Sequence, residues 1–138
     1  MTDFIDFHVH PPVEELLAGP IAPYVGTLNA HTGTEPEILS ADEVASVYRE
    51  RNGKAVLLGW DTETITKQRP FSSEDVAEMV AAHPDVFYGL GSIDPARGAR
   101  AVAGVHSAAR LGLSGLAFHP VGQGFDPVAR SAFGIYET

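Results

Sequence analysis

The 138-residue chain carries 9 Lys and Arg against 18 Asp and Glu, a formal net charge of −9, and 44% of its residues are hydrophobic. That is enough apolar material for one buried core, whereas scattered bases on an acidic chain argue against a nucleic-acid surface, and no nucleic-acid partner is expected. No apolar run of about eighteen residues and no basic leader with an apolar segment behind it occurs, so neither a membrane partner nor export is expected and the default location is cytoplasmic.

The first apolar segment, residues 3–10, contains Ile5-Asp6-Phe7-His8-Val9-His10 and is closed by Pro11-Pro12, which cannot donate ladder hydrogen bonds. Period-two alternation sends His8 and His10 to one face and Ile5, Phe7 and Val9 to the other. Two imidazoles side by side at the C-terminal end of a strand suit a divalent metal. With no cysteine in the chain, its other ligands are nitrogen or oxygen donors, which favours zinc, with manganese or iron as alternatives. A short helix fits 13–18, and Gly19-Pro20 through Pro36 reads as an irregular lid or insertion, with His31 on it in no inferable geometry.

Ser40-x-x-Glu43 is a capping box opening a helix with Val44, Val47, Tyr48 and Arg51 on one face, and Asn52-Gly53 stops it. A second strand covers 54–60 and ends at Trp60-Asp61. Asp61 is either an acceptor that orients a metal-bound imidazole or a solvated loop residue. Val76, Met79 and Val80 form the stripe of a helix from about Ser73 to His83, ended by Pro84, and a third strand spans 86–93. Gly89-Leu90-Gly91 inside it lacks the third glycine of a dinucleotide fingerprint, and no phosphate-cradling loop or nucleophile elbow occurs elsewhere.

Asp94 reads as the N-cap of a third helix, with Pro95 at its first position and its close at Gly112, rather than as a ligand. His83, at a helix end before a proline, and His106, inside this helix, read as structural. A fourth strand, 115–119, ends in His119, which is either a pocket residue or a satisfied core histidine. Its position opposite the His8/His10 strand end favours the pocket. Strands alternate with helices, and long strand-to-helix loops alternate with tight helix-to-strand turns. That pattern predicts an α/β fold of the (β/α)8 TIM-barrel family, with four βα units forming a parallel half-barrel whose site lies at the strand C-termini. The predicted order is sequential, with helices on the convex side and Phe4, Leu58 and Phe118 facing inward.

The segments Ile5-Asp6-Phe7-His8-Val9-His10, His83-Pro84-Asp85-Val86-Phe87, Gly91-Ser92-Ile93-Asp94-Pro95 and Gly115-Leu116-Ala117-Phe118-His119-Pro120, with Gln123-Gly124-Phe125 after the last, carry a resemblance. The chain resembles the N-terminal half of a metal-dependent hydrolase of the amidohydrolase superfamily. The branch is the amidohydrolase-related one that includes aminocarboxymuconate semialdehyde decarboxylase. The resemblance implies that residues 1–138 are the N-terminal part of a single barrel domain with one catalytic metal, zinc first. It makes His8 and His10 the first-strand metal ligands and His119 a pocket or second-sphere residue. The family's remaining ligands would come from a fifth and an eighth strand, and its acid or base from a sixth.

Such a barrel needs about 250 residues, and a catalytic zinc normally has three protein ligands, so two imidazoles leave the site half built. The expectation is therefore a metal-dependent hydrolase or nonoxidative decarboxylase by descent, acting on a small carboxylated or cyclic organic substrate and incomplete as an isolated chain. Its completion would come from a homo-oligomer or from a missing C-terminal half. The alternatives are a noncatalytic half-barrel fragment or interaction module, and a metal-dependent phosphoesterase.

Overall fold

A computed structural model describes residues 2–138. Four strands, β1 (Phe4–Val9), β2 (Gly53–Leu58), β3 (Phe87–Ser92) and β4 (Gly115–Ala117), pair in parallel in the order β1-β2-β3-β4. Between and after them lie α1 (Glu14–Leu17), α2 (Ala22–Thr32), α3 (Ala41–Arg49), α4 (Glu63–Thr66), α5 (Ser73–Ala82), α6 (Ala99–Arg110), α7 (Pro120–Gln123) and α8 (Arg130–Tyr136). The predicted half-barrel and its sequential order are what is observed. Among the described residues no helix is long and apolar enough to cross a membrane.

Local chemistry sets the principal helix starts. Ser40 accepts from Glu43 N and Glu43 returns a bond to Ser40 N, and Ser72 and Asp75 repeat the same box at α5. Val44 and Ala45 of α3, Val76 and Met79 of α5, and Leu16 of α1 pack on Val9, Ala55, Leu57 and Phe87, which face the helices. On that face β3 offers only hydrogen at Gly89 and Gly91. A Cβ on Gly89 would stand 2.6 Å from Val76 Cγ1 and 2.7 Å from Leu113 Cδ2. The two glycines thus let α5 lie close to the sheet, which is their role in place of nucleotide binding. Gly89→Ala is expected to overpack this contact and cost about 1–3 kcal/mol in urea unfolding. A loss below about 0.5 kcal/mol would mean that α5 moves aside freely.

The first strand departs from strict alternation. Asp6 pairs with Ala55 but Val9 pairs with Leu57, so three steps on β1 oppose two on β2 and a β-bulge falls at Phe7 and His8. Ile5 and Phe7 therefore line the concave cleft with Val56, Tyr88 and Leu90, on the same side as His8 and His10, and only Val9 keeps the helix-facing side assigned to all three. Phe4 is corrected as well: it lies over Gly53 on the helix side, its ring 6.3 Å from that of Tyr48. Asp6 holds the bulge, because its Oδ1 accepts from His8 N and its Oδ2 from the Tyr48 hydroxyl. Burial and this bond push the Tyr48 phenol up to about 12, so it stays a donor to Asp6.

Three further expectations change. Residues 19–36 contain a helix, α2, with Pro23 in its first turn and a left-handed Gly33 ending it. No residue of α2 is buried and its apolar residues are not gathered on one face, which removes the periodic signal that marks a helix in sequence. The third predicted helix is divided: Asp94 caps a 3-10 turn at Pro95–Arg97, and Gly98, at φ 55°, separates it from α6. Phe118 packs outward with Ile93 and Ile135, against the rings of Phe125 and Tyr136, instead of facing the barrel interior, whereas Leu58 lines the concave cleft as predicted.

Candidate active site at the strand C-termini

His8, His10, Trp60, Asp61, Ser92, His119 and Gln123, drawn from the ends of all four strands, line one small cleft of about 40 Å³. His8 opens into this cleft beside His10, with ring centroids 5.0 Å apart and the rings nearly perpendicular. His8 is exposed and His10 is half-buried. Loss of water around His10, with His8 and His119 adding to it, pushes its imidazole down to about 4. His10 is therefore neutral at pH 7, the form that offers a lone pair to a metal. Its Nδ1 is shut from solvent with no hydrogen-bond partner among the described residues, as is Trp60 Nε1.

The indole of Trp60 is the centre of the aromatic wall. It stands edge-on to His10 at 5.0 Å, 4.4 Å from the His119 ring, and 6.3 Å from Tyr24 of α2. Its backbone is pinned by a two-way bridge to Phe71. Proximity to Trp60 was not legible from sequence, where Trp60 served only to mark the end of a strand.

Asp61 is buried, which corrects the solvated reading, but it does not orient a histidine. Its Oδ1 accepts from Arg97 Nη2 at 3.0 Å and from Glu63 N at 3.3 Å, and its Oδ2 accepts from Asp94 N at 3.2 Å. Burial pushes its carboxyl up from the usual range, opposed by the Arg97 charge and the two backbone donors. Arg97 also pairs with Glu63. Asp94, fully buried, is the cap it was predicted to be, with Oδ1 accepting from Ala96 N and Oδ2 from Thr64 N.

Gln123 is the residue that sequence reasoning left without a role. Almost fully buried, it donates through Nε2 to the carbonyls of Asp61 and Ile93, both at 2.9 Å, and accepts from His119 N through Oε1 at 2.9 Å. One side chain thus ties the ends of β2, β3 and β4 together. The single available signal was a polar residue just after a histidine-ended strand.

His119 caps α7: its Nδ1 accepts from Gly122 N at 2.9 Å. The other histidines lie away from the cleft. His83 ends α5, where its Nδ1 accepts from Arg49 and its Nε2 lies 2.9 Å from Asp42 Oδ1 without a hydrogen-bonding angle. His106 is exposed on α6, and His31 is exposed on the last turn of α2, not on an irregular loop.

Tested as a metal centre, the donor set fits in part. His8 and His10 supply two adjacent imidazoles, one of them held neutral. Among the described residues no group of three or more His, Cys, Asp or Glu side chains is arranged to hold an ion.

No protein family's profile matches this sequence, and no curated protein matches it. Among solved structures the chain is similar to an uncharacterized TIM-barrel protein of Bordetella bronchiseptica, at 25% identity and a TM-score of 0.60 over 79% of this chain. The match covers 41% of that chain, so the present chain spans less than half the length of the solved one. The likeness carries the barrel fold, and no activity comes with it.

Proposed function

We propose that this half-barrel belongs to a metal-dependent hydrolase or nonoxidative decarboxylase acting on a small carboxylated or cyclic organic substrate, with His8 and His10 as two ligands of one divalent ion, zinc first. The observation that carries the reading is the pairing of these two rings at the C-terminal mouth of a parallel half-barrel, the end at which enzymes of this architecture do their chemistry. A bound ion would supply Lewis-acid activation of water or of a substrate carbonyl. The chain's own residues hold and orient: Asp6 accepts from the His8 backbone N–H and fixes the chain there, burial keeps His10 unprotonated, and Gln123 fixes the rim on which His119 stands. The amidohydrolase-related resemblance supports the same reading, with residues 1–138 as the N-terminal part of one barrel domain.

Zinc titration by calorimetry is the test. Wild type is expected to bind, and His8→Ala and His10→Ala are each expected to weaken binding by about tenfold or more. Equal affinity in all three proteins would remove both residues as ligands.

A noncatalytic half-barrel module is the second reading, favoured by the two-donor set. Zinc binding without turnover in a hydrolase and decarboxylase screen would select it. A phosphoesterase is less well supported, since Arg97, which pairs with Asp61 of the cleft, is held by that carboxylate and by Glu63.

A further inference from the structure

His119 is fixed more firmly than its exposed position requires. Its Nδ1 accepts from Gly122 N at 2.9 Å, its own N–H donates to the buried Gln123 amide, and its ring lies on Trp60 at 4.4 Å with 37° between the planes. A Cβ on Gly122 would fall 2.5 Å from His119 Nδ1, so a glycine is what permits the approach.

This network decides the tautomer. A neutral imidazole has one N–H and one lone pair. Gly122 occupies the lone pair at Nδ1, which leaves the proton on Nε2. In this arrangement His119 is a donor at Nε2 and has no lone pair there for a metal, so it is not a third ligand beside His8 and His10. The adjoining Trp60 supplies an aromatic wall, its ring 4.4 Å from that of His119. The nearby negative charge of Asp61 is already matched by Arg97 and two backbone donors.

We propose that His119 and Trp60 form a recognition slot for a carboxylate of the substrate, with His119 Nε2–H donating to a carboxylate oxygen and the indole forming the adjoining wall. The cleft of about 40 Å³ has room for a group the size of a carboxylate, so the body of the ligand rests outside it. The slot rests on the functional reading above for its substrate class, and it assigns His119 to positioning the substrate instead of holding the ion.

Trp60 is the sole tryptophan of the chain, so its fluorescence reports on the slot directly. Benzoate, titrated in EDTA to remove any metal contribution, is expected to change Trp60 emission saturably, and its neutral isostere benzamide to bind about tenfold more weakly, as loss of a charge-assisted bond predicts. His119→Ala is expected to weaken benzoate about tenfold and leave benzamide unmoved. Nitrogen-15 NMR of the wild type is expected to find His119 protonated at Nε2. Benzoate binding that is absent, equal to that of benzamide, or unaffected by His119→Ala overturns the slot, and so does a proton on Nδ1. The benzamide comparison and the tautomer need no variant and stand even if His119→Ala fails to fold. Benzoate discrimination without zinc binding at His8 and His10 would reject the metal reading alone; zinc binding without benzoate discrimination would reject the slot alone.

Discussion

Gln123→Leu is expected to lower the stability of the protein by about 3 kcal/mol or more, read as a fall in Tm of about 10 °C. Leucine fills a similar volume but leaves the carbonyls of Asp61 and Ile93 and the N–H of His119 without their partners at a site closed to solvent. Each buried group so stranded costs about 1–3 kcal/mol, part of which is relieved where water enters. Against a total stability of about 5–15 kcal/mol for a domain of this kind, the loss is large. Gln123→Glu is expected to be as damaging, because a carboxylate would face two carbonyl oxygens with no proton to give. Thermal unfolding followed by circular dichroism checks both. A fall in Tm of less than about 3 °C would show that the strand ends do not depend on this residue.

The isolated 138-residue chain is expected to self-associate through its concave face. Phe7 is 70% exposed, Ile5 47% and Tyr88 42%, and these three lie with Val56 and Leu90 around one apolar cleft of about 300 Å³. In the order β1-β2-β3-β4 the first and fourth strands each have one unpaired side, and open edges beside an apolar face favour association. A pair of chains joined edge to edge, β1 to β4, would close eight parallel strands and bring two His8/His10 pairs to one mouth. Sedimentation velocity should find species heavier than the 14.7 kDa monomer, and Phe7→Lys, which adds a charge to the face without touching the helix-side core, should shift the distribution towards monomer. A monomer across the accessible concentration range would sink the expectation, as would a Phe7→Lys protein that associates as strongly as wild type.

Much of the site's position was legible in the chain because the signals are short in range. His8 and His10 are two residues apart on a proline-stopped strand, and Asp94 precedes a proline at a helical start. Both fell where the alternation of strands and helices put them. The capping box at Ser40 is a contact across three residues, which a sequence window contains whole. What the window missed follows from longer contacts. Asp61 is held by Arg97, 36 residues away, and Gln123 reaches the Asp61 carbonyl across 62 residues. Nothing local in either residue announces its partner.

The sequence by itself determined the alternation of parallel strands and helices, their sequential order, the end of the sheet that carries polar residues, and the identity of the two imidazoles. Hydrophobic period, caps and prolines act within a few residues, and the right-handed crossover turns their alternation into a single topology. Tertiary structure alone decided which way each group points. A bulge held by Asp6 moved Ile5 and Phe7 onto the concave face, Gly122 chose the tautomer of His119, and packing among Ile93, Phe125 and Tyr136 took Phe118 outward. Orientation belongs to that level because a one-residue change of register reverses a side chain, and register is set by hydrogen bonds to strands about fifty residues away in the chain.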